Sequence, residues 1–136
     1  MKRILSLALA CVVLLSVMLT LTSCGKVLNT PADVAQSLEA AGYTVDTVFA
    51  EEGKHFDDGR IAYISAKKDY DSIVIVYYNN NTDVFQKYLE AEEDAIKLET
   101  SLKKSQVNIE IEAKKFGNAV WYGSVAAIEA AEIFMP

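Results

Sequence analysis

Histidine, cysteine, proline and tryptophan are all scarce in this chain: one His, two Cys, two Pro and one Trp among 136 residues. A lone histidine, His55, has no second histidine to work with, and no G-x-S-x-G motif is present, so the usual arrangements for activating a nucleophile are missing. No glycine-rich loop is available to cradle a phosphate. With only six glycines and two prolines, no internal repeat and no low-complexity segment, a collagen-like fibre is excluded. Basic residues are outnumbered, 13 against 19, giving a net charge of -6. Nucleic acid demands a basic face, so it is not an expected partner. The length suits one domain rather than a multidomain enzyme. A hydrophobic fraction of 51% excludes a disordered acidic tail.

Much of that apolar content sits at the start. Lys2 and Arg3 form a short positive region, and Ile4 to Leu21 is apolar and uncharged. Leu21-Thr22-Ser23-Cys24-Gly25 then follows. An uncleaved anchor is one reading, since about 18 apolar residues just span a bilayer. The small-small-Cys ending is what processing requires and a spanning helix does not. Residues 1–25 resemble the lipobox signal of bacterial lipoproteins. That resemblance implies a diacylglyceryl group, and so palmitate-type acylation, on the Cys24 thiol, with cleavage just before Cys24. The expected organisation is a signal peptide over 1–23, a lipidated cysteine and short tether over 24–29, and one domain over 30–136.

Cleavage would remove Cys11, Lys2 and Arg3, leaving 113 of the 136 residues, with 11 basic and 19 acidic side chains and a net charge of -8. Its one cysteine, Cys24, would be acylated, leaving no disulfide and no cysteine for a metal. A net negative chain is repelled by anionic lipid, so the acyl chains, at about 0.8 kcal/mol per buried methylene, would hold it at the membrane. Gly25 to Asn29 reach at most about 20 Å when extended, which keeps the domain close to that membrane. Gly25 is not the Asp that in Gram-negative bacteria resembles an inner-membrane retention signal. Outer-membrane placement therefore stays open, if the organism has such a membrane.

The domain itself alternates helix and strand signals. Thr30-Pro31-Ala32-Asp33 sets an N-cap, a Pro at the first helical position and an acid three residues after the cap. Val34, Ala35, Leu38 and Ala41 form an apolar stripe, and Gly42 suits a left-handed C-terminal cap. Strands are expected over 43–49, 60–66 and 72–78. The last of these is apolar on both sides, as a central strand would be. A long helix is expected over 83–104, with Val84, Tyr88, Ala91, Ala95, Leu98 and Leu102 toward the core, widened by Phe85, Leu89 and Ile96. Val107 to Ala113 alternates cleanly, with Val107, Ile109 and Ile111 expected dry and Asn108, Glu110 and Glu112 wet. Gly117-Asn118 marks a hairpin turn, Ala119 to Tyr122 a return strand, Gly123-Ser124 a break and cap, and Val125 to Phe134 a last helix. The order α-β-β-β-α-β-β-α predicts an α+β, two-layer fold: about five mainly antiparallel strands with helices packed on one face.

Chemistry-bearing clusters are few. His55 lies in a charged loop with Glu51, Glu52, Asp57 and Asp58, where a cation site, a general base or plain solvation are the alternatives. The pattern fails the calcium-loop spacing, and no catalytic residue, cofactor or metal is expected. Tyrosine is the one excess, seven residues. The adjacent pairs Tyr77-Tyr78 and Trp121-Tyr122 each put one ring on either side of a strand. One ring of each pair would reach a solvent-open face, if not the core, and aromatics there make a recognition surface. The expected role is therefore a non-enzymatic, monomeric binding module, anchored by lipid on the outer side of a bacterial cell membrane, with a protein, peptide or glycan partner. An envelope hydrolase or enzyme inhibitor, and a structural accessory of a membrane complex, are the alternatives.

Overall fold

Thr30 ends an extended segment, and its Oγ1 accepts a hydrogen bond from the Asp33 backbone N–H at 3.2 Å. This cap, with Pro31 behind it, starts the first helix where the sequence places it. The computed structural model describes residues 25–136; the expected signal segment, with Cys11, and the expected lipidation position Cys24 lie outside the described residues. The elements are α1 (Pro31–Ala40), β1 (Thr44–Phe49), β2 (Arg60–Lys68), β3 (Asp71–Tyr78), α2 (Val84–Lys104), β4 (Ile111–Phe116), β5 (Ala119–Ser124) and α3 (Val125–Ala131). Their order is the predicted one, and the fold is α+β.

All five strands join one antiparallel sheet in the order β1-β2-β3-β5-β4. β3 is central, as its doubly apolar run requires. The chain leaves β3 through α2, enters the far edge as β4, and returns by the Gly117-Asn118 turn to place β5 beside β3. Gly117 takes a left-handed φ of 55° there. The Asn118 side chain donates to the Tyr78 carbonyl at 2.7 Å, tying the turn to the end of the central strand.

One face of the sheet is sealed over its three inner strands, β2, β3 and β5. Ala62, Ile64 and Ala66 of β2, Ile73, Ile75 and Tyr77 of β3, and Ala119 and Trp121 of β5 pack there against Val34 and Leu38 of α1 and Ala127 and Ala131 of α3. The alternation of strand side chains delivers these residues to one side. Alanines on β2 and α3 let helix and sheet approach closely. Ser124, buried, caps α3 by accepting from the Ala127 N–H at 3.4 Å. Gly123 does not break the strand; it belongs to β5, where a Cβ would lie 2.4 Å from the Ser72 carbonyl oxygen.

The helices do not all share that face. Val84 and Ala91 of α2 pack on Val120 of β5, with Tyr78, Tyr88, Ala113 and Tyr122 around them. Val120 points opposite to its neighbours Ala119 and Trp121, so α2 covers the second face, locally making a third layer. The cause lies in β5, which is apolar on both sides and needs a cover on each. The strand expected from the alternation of Val107 to Ala113 also falls short, and its wet residue Glu112 lies on the side of Trp121, not under α2. β4 begins at Ile111, opposite the last residue of β5, so Val107 to Glu110 has no partner strand. Ile111 is buried, while Val107 and Ile109 are only half-buried.

The apolar stripe of α2 is narrower than predicted. Val84, Ala91 and Ala95 are buried, but Phe85, Leu89 and Ile96 are exposed, at 61%, 37% and 66%. At about 100° per residue these three sit on a separate flank of the helix, turned away from the buried row. Among the described residues no helix is long and apolar enough to cross a membrane.

Candidate functional site

Because α2 lies over β4 and β5, the β2–β3 half of the same face is left with a wall but no lid. The result is a groove of about 390 Å³. Tyr63 of β2, Val74, Val76 and Tyr78 of β3, and Val120 and Tyr122 of β5 form its floor. The pairings Tyr63↔Val76, Val76↔Val120 and Val74↔Tyr122 place these side chains in adjacent cross-strand rows. Lys87, Glu90 and Asp94 of α2 form the wall, and Asp58 and Arg60 close one end.

Arg60 is held in place from several sides. Its Nε lies 2.6 Å from an Asp58 carboxylate oxygen. Its guanidinium carbon stands 6.0 Å from the Phe56 ring centre and 5.9 Å from that of Tyr63, within the range of cation–π attraction. The loop is folded back by Phe56 N–H donating to the Arg60 carbonyl at 2.9 Å, with Gly59 at a φ of 82° that only glycine adopts freely. Lys87 pairs with Glu90 at 3.2 Å.

The groove is thus lined by three carboxylates and two cations around three phenols. Burial, then Glu90 and Asp58, raise the pKa of Tyr78 above its ordinary value, opposed by Arg60. Burial, then Asp94 and Tyr63, raise that of Tyr122. Both hydroxyls therefore stay protonated at neutral pH and present hydrogen-bond donors beside apolar ring surface. This combination suits recognition, with stacking or cation–π contact on the rings and acceptors on the rim.

The structure splits the two predicted aromatic pairs. Tyr78 and Tyr122 fall on the groove face, half-buried. Tyr77 and Trp121 fall on the sealed face, 3% and 2% exposed, and are core residues rather than a surface. Trp121 meets the Phe134 ring edge-on at 5.9 Å between centres. The pleat made this division unavoidable; which ring faced which way depended on the pairing of β3 with β5. Sequence reasoning missed Tyr63, Arg60 and Asp94 as groove residues. Tyr63 could have been found from the alternation of β2, whereas Asp94 depends on where α2 lands.

His55 stands elsewhere, exposed, with Nδ1 2.8 Å from the Phe56 carbonyl oxygen. It lines a depression of about 580 Å³ with Pro31, Phe49, Ala50, Lys54 and Ile61. Among the described residues no group of three or more His, Cys, Asp or Glu side chains is arranged to hold a metal ion.

No protein-family model, no curated protein and no solved structure matches this chain. The groove geometry and the sequence signals therefore carry the functional argument alone.

Proposed function

We propose that this chain is a lipid-anchored, extracytoplasmic binding module of a bacterial cell envelope, and that the groove between α2 and the β2–β3 half of the sheet holds its partner. One observation carries the binding role: Tyr63, Tyr78 and Tyr122 converge on a walled but uncovered groove with a net acidic rim. The anchoring rests on Leu21-Thr22-Ser23-Cys24. The rim favours a partner segment, peptide or glycan, that presents a basic or amine group over the rings.

Two measurements test these halves separately. Cys24→Ser should abolish incorporation of a palmitate analogue and release the protein from the membrane or leave unprocessed precursor; equal membrane labelling of mutant and wild type rejects the anchor. For the groove, the protein is screened on arrays of basic peptides and amino-sugar glycans. Glu90→Lys and Asp94→Lys reverse exposed rim charges without touching the core, and Tyr122→Phe removes only a hydroxyl. A hit weakened at least tenfold by the charge reversals, with an unchanged melting temperature, supports the groove. Hits indifferent to all three variants reject it.

A further inference from the structure

The segment just after Cys24 is not a free tether. The Met135 N–H donates to the Val27 carbonyl at 2.8 Å, and the Asn29 N–H to the Ile133 carbonyl at 2.8 Å. Leu28 and Phe134 form the antiparallel bridge between them. Asn29 Nδ2 adds a bond to the Glu132 carbonyl at 2.7 Å. Only Gly25 and Lys26 separate Cys24 from this pinned segment. Three residues extend about 10 Å at most, so one particular surface must lie close to whatever Cys24 is fixed in.

That surface differs from the rest of the molecule. Lys26 lies over the Phe134 ring at 5.1 Å, and Phe116 meets the same ring edge-on at 5.1 Å. Lys26, Lys114, Lys115, Phe116 and Phe134 line one depression along the β4 edge, with Tyr88 at its rim. Tyr88 connects in turn to exposed Phe85, at 6.5 Å between ring centres. Val27 and Met135, beside the bridge, are 56% and 50% exposed. Lys114 is partly neutralised by Glu112 at 3.0 Å, while Lys26 and Lys115 have no ion-pair partner among the described residues. In a chain of net charge -6, three lysines framing exposed apolar side chains form a local exception. Lysines beside apolar groups match the phosphates and acyl boundary of an anionic leaflet.

We infer that the β4 edge, with Lys26, Lys114, Lys115, Phe116, Val27 and Met135, is the face that docks on anionic phospholipid. This rests on the lipid-anchor reading and adds an orientation to it. The net charge of the whole chain repels such a surface, so attraction confined to this edge turns the domain one way. β4 and the Phe85 flank of α2 then face the lipid. The tyrosine groove, on the opposite flank of α2, faces away from it.

The test uses the full chain purified from membranes and reconstituted into vesicles of phosphatidylglycerol or of phosphatidylcholine. Flotation with vesicles reads anchoring. Brief acetylation with an amine-reactive reagent, followed by mass spectrometry, reads orientation. Lys26, Lys114 and Lys115 should be labelled at least threefold more slowly than Lys54 and Lys97 on phosphatidylglycerol, and the difference should shrink on phosphatidylcholine. A Lys115→Glu/Phe116→Ser variant, changed only at exposed positions, should still float yet lose the protection of Lys26. Uniform labelling of all lysines on floating phosphatidylglycerol vesicles overturns the docking face and leaves the anchor standing. Failure to float on either lipid overturns both.

Discussion

The two faces of this sheet are built from alternate residues of the same strands, yet they end in different states. On one, α1 and α3 close over the isoleucines, alanines, Tyr77 and Trp121 of the inner strands until almost nothing of these side chains is exposed. On the other, a single helix covers β4 and β5 and stops, leaving Tyr63, Val74, Val76 and Tyr78 half-buried beside it. The difference does not come from hydrophobicity, since β3 is apolar on both sides. It comes from how many helices the connections deliver to each face. The sealed face receives the first and last helices, whereas the groove face receives only the one inserted between β3 and β4. Stability should therefore concentrate on one side of the sheet and recognition on the other.

The largest expected effect lies on the sealed face. Trp121→Ala should cost about 3–5 kcal/mol, the range for removing a buried aromatic ring, read as a lower midpoint in urea denaturation. A cost under about 1 kcal/mol would show that the sealed face does not carry the fold. A middle-sized effect separates the faces by pH. Burial pushes the Tyr77 pKa up to about 12. Between pH 10 and 12 the unfolded chain would release this proton while the folded chain keeps it, so stability should be complete below pH 10 and fall as pH rises through that window. The loss should be about 2 kcal/mol at the upper end. The Tyr77 hydroxyl has no hydrogen-bond partner among the described residues, so Tyr77→Phe should leave stability at pH 7 unchanged or slightly higher and flatten the alkaline loss. An alkaline slope identical in the two proteins would refute this. The smallest effect belongs to the outer flank of α2. Ile96→Ser should change stability by less than about 0.5 kcal/mol, although sequence patterning counts Ile96 with the core. A melting temperature several degrees lower would mean that this flank is covered by something.

Legibility in the sequence followed how local the deciding force was. The start of α1 could be read from four residues because capping is settled within one turn. The central place of β3 could be read because only a strand covered on both sides tolerates a doubly apolar run. Val107 and Ile109 misled because alternation reports a tendency to be extended, while a strand also needs a neighbour, and β5 ends at Ser124 opposite Ile111. Phe85, Leu89 and Ile96 misled because a wide apolar stripe on a helix does not say how much of it finds a partner. The aromatic pairs were half legible. The pleat guarantees that Tyr77 and Tyr78 part company, but only the sheet order shows that Tyr78 and Tyr122 meet on the same side, and only the position of α2 adds Glu90 and Asp94 to them.

The pairing of Leu28 with Phe134 sets a condition on timing. The sealed core takes Val34 and Leu38 from one extremity of the domain and Ala127, Ala131 and Ile133 from the other, so the contacts that close it span nearly the whole domain and are costly to form early. A chain that appears from its N-terminus onward, as every chain does in synthesis, cannot form this pairing until residues near 134 have emerged. Until then the first helix can pack on β1 and β2 but lacks the last helix beside it, so the core stays open on that side. The same distant contact that finishes the structure also postpones it.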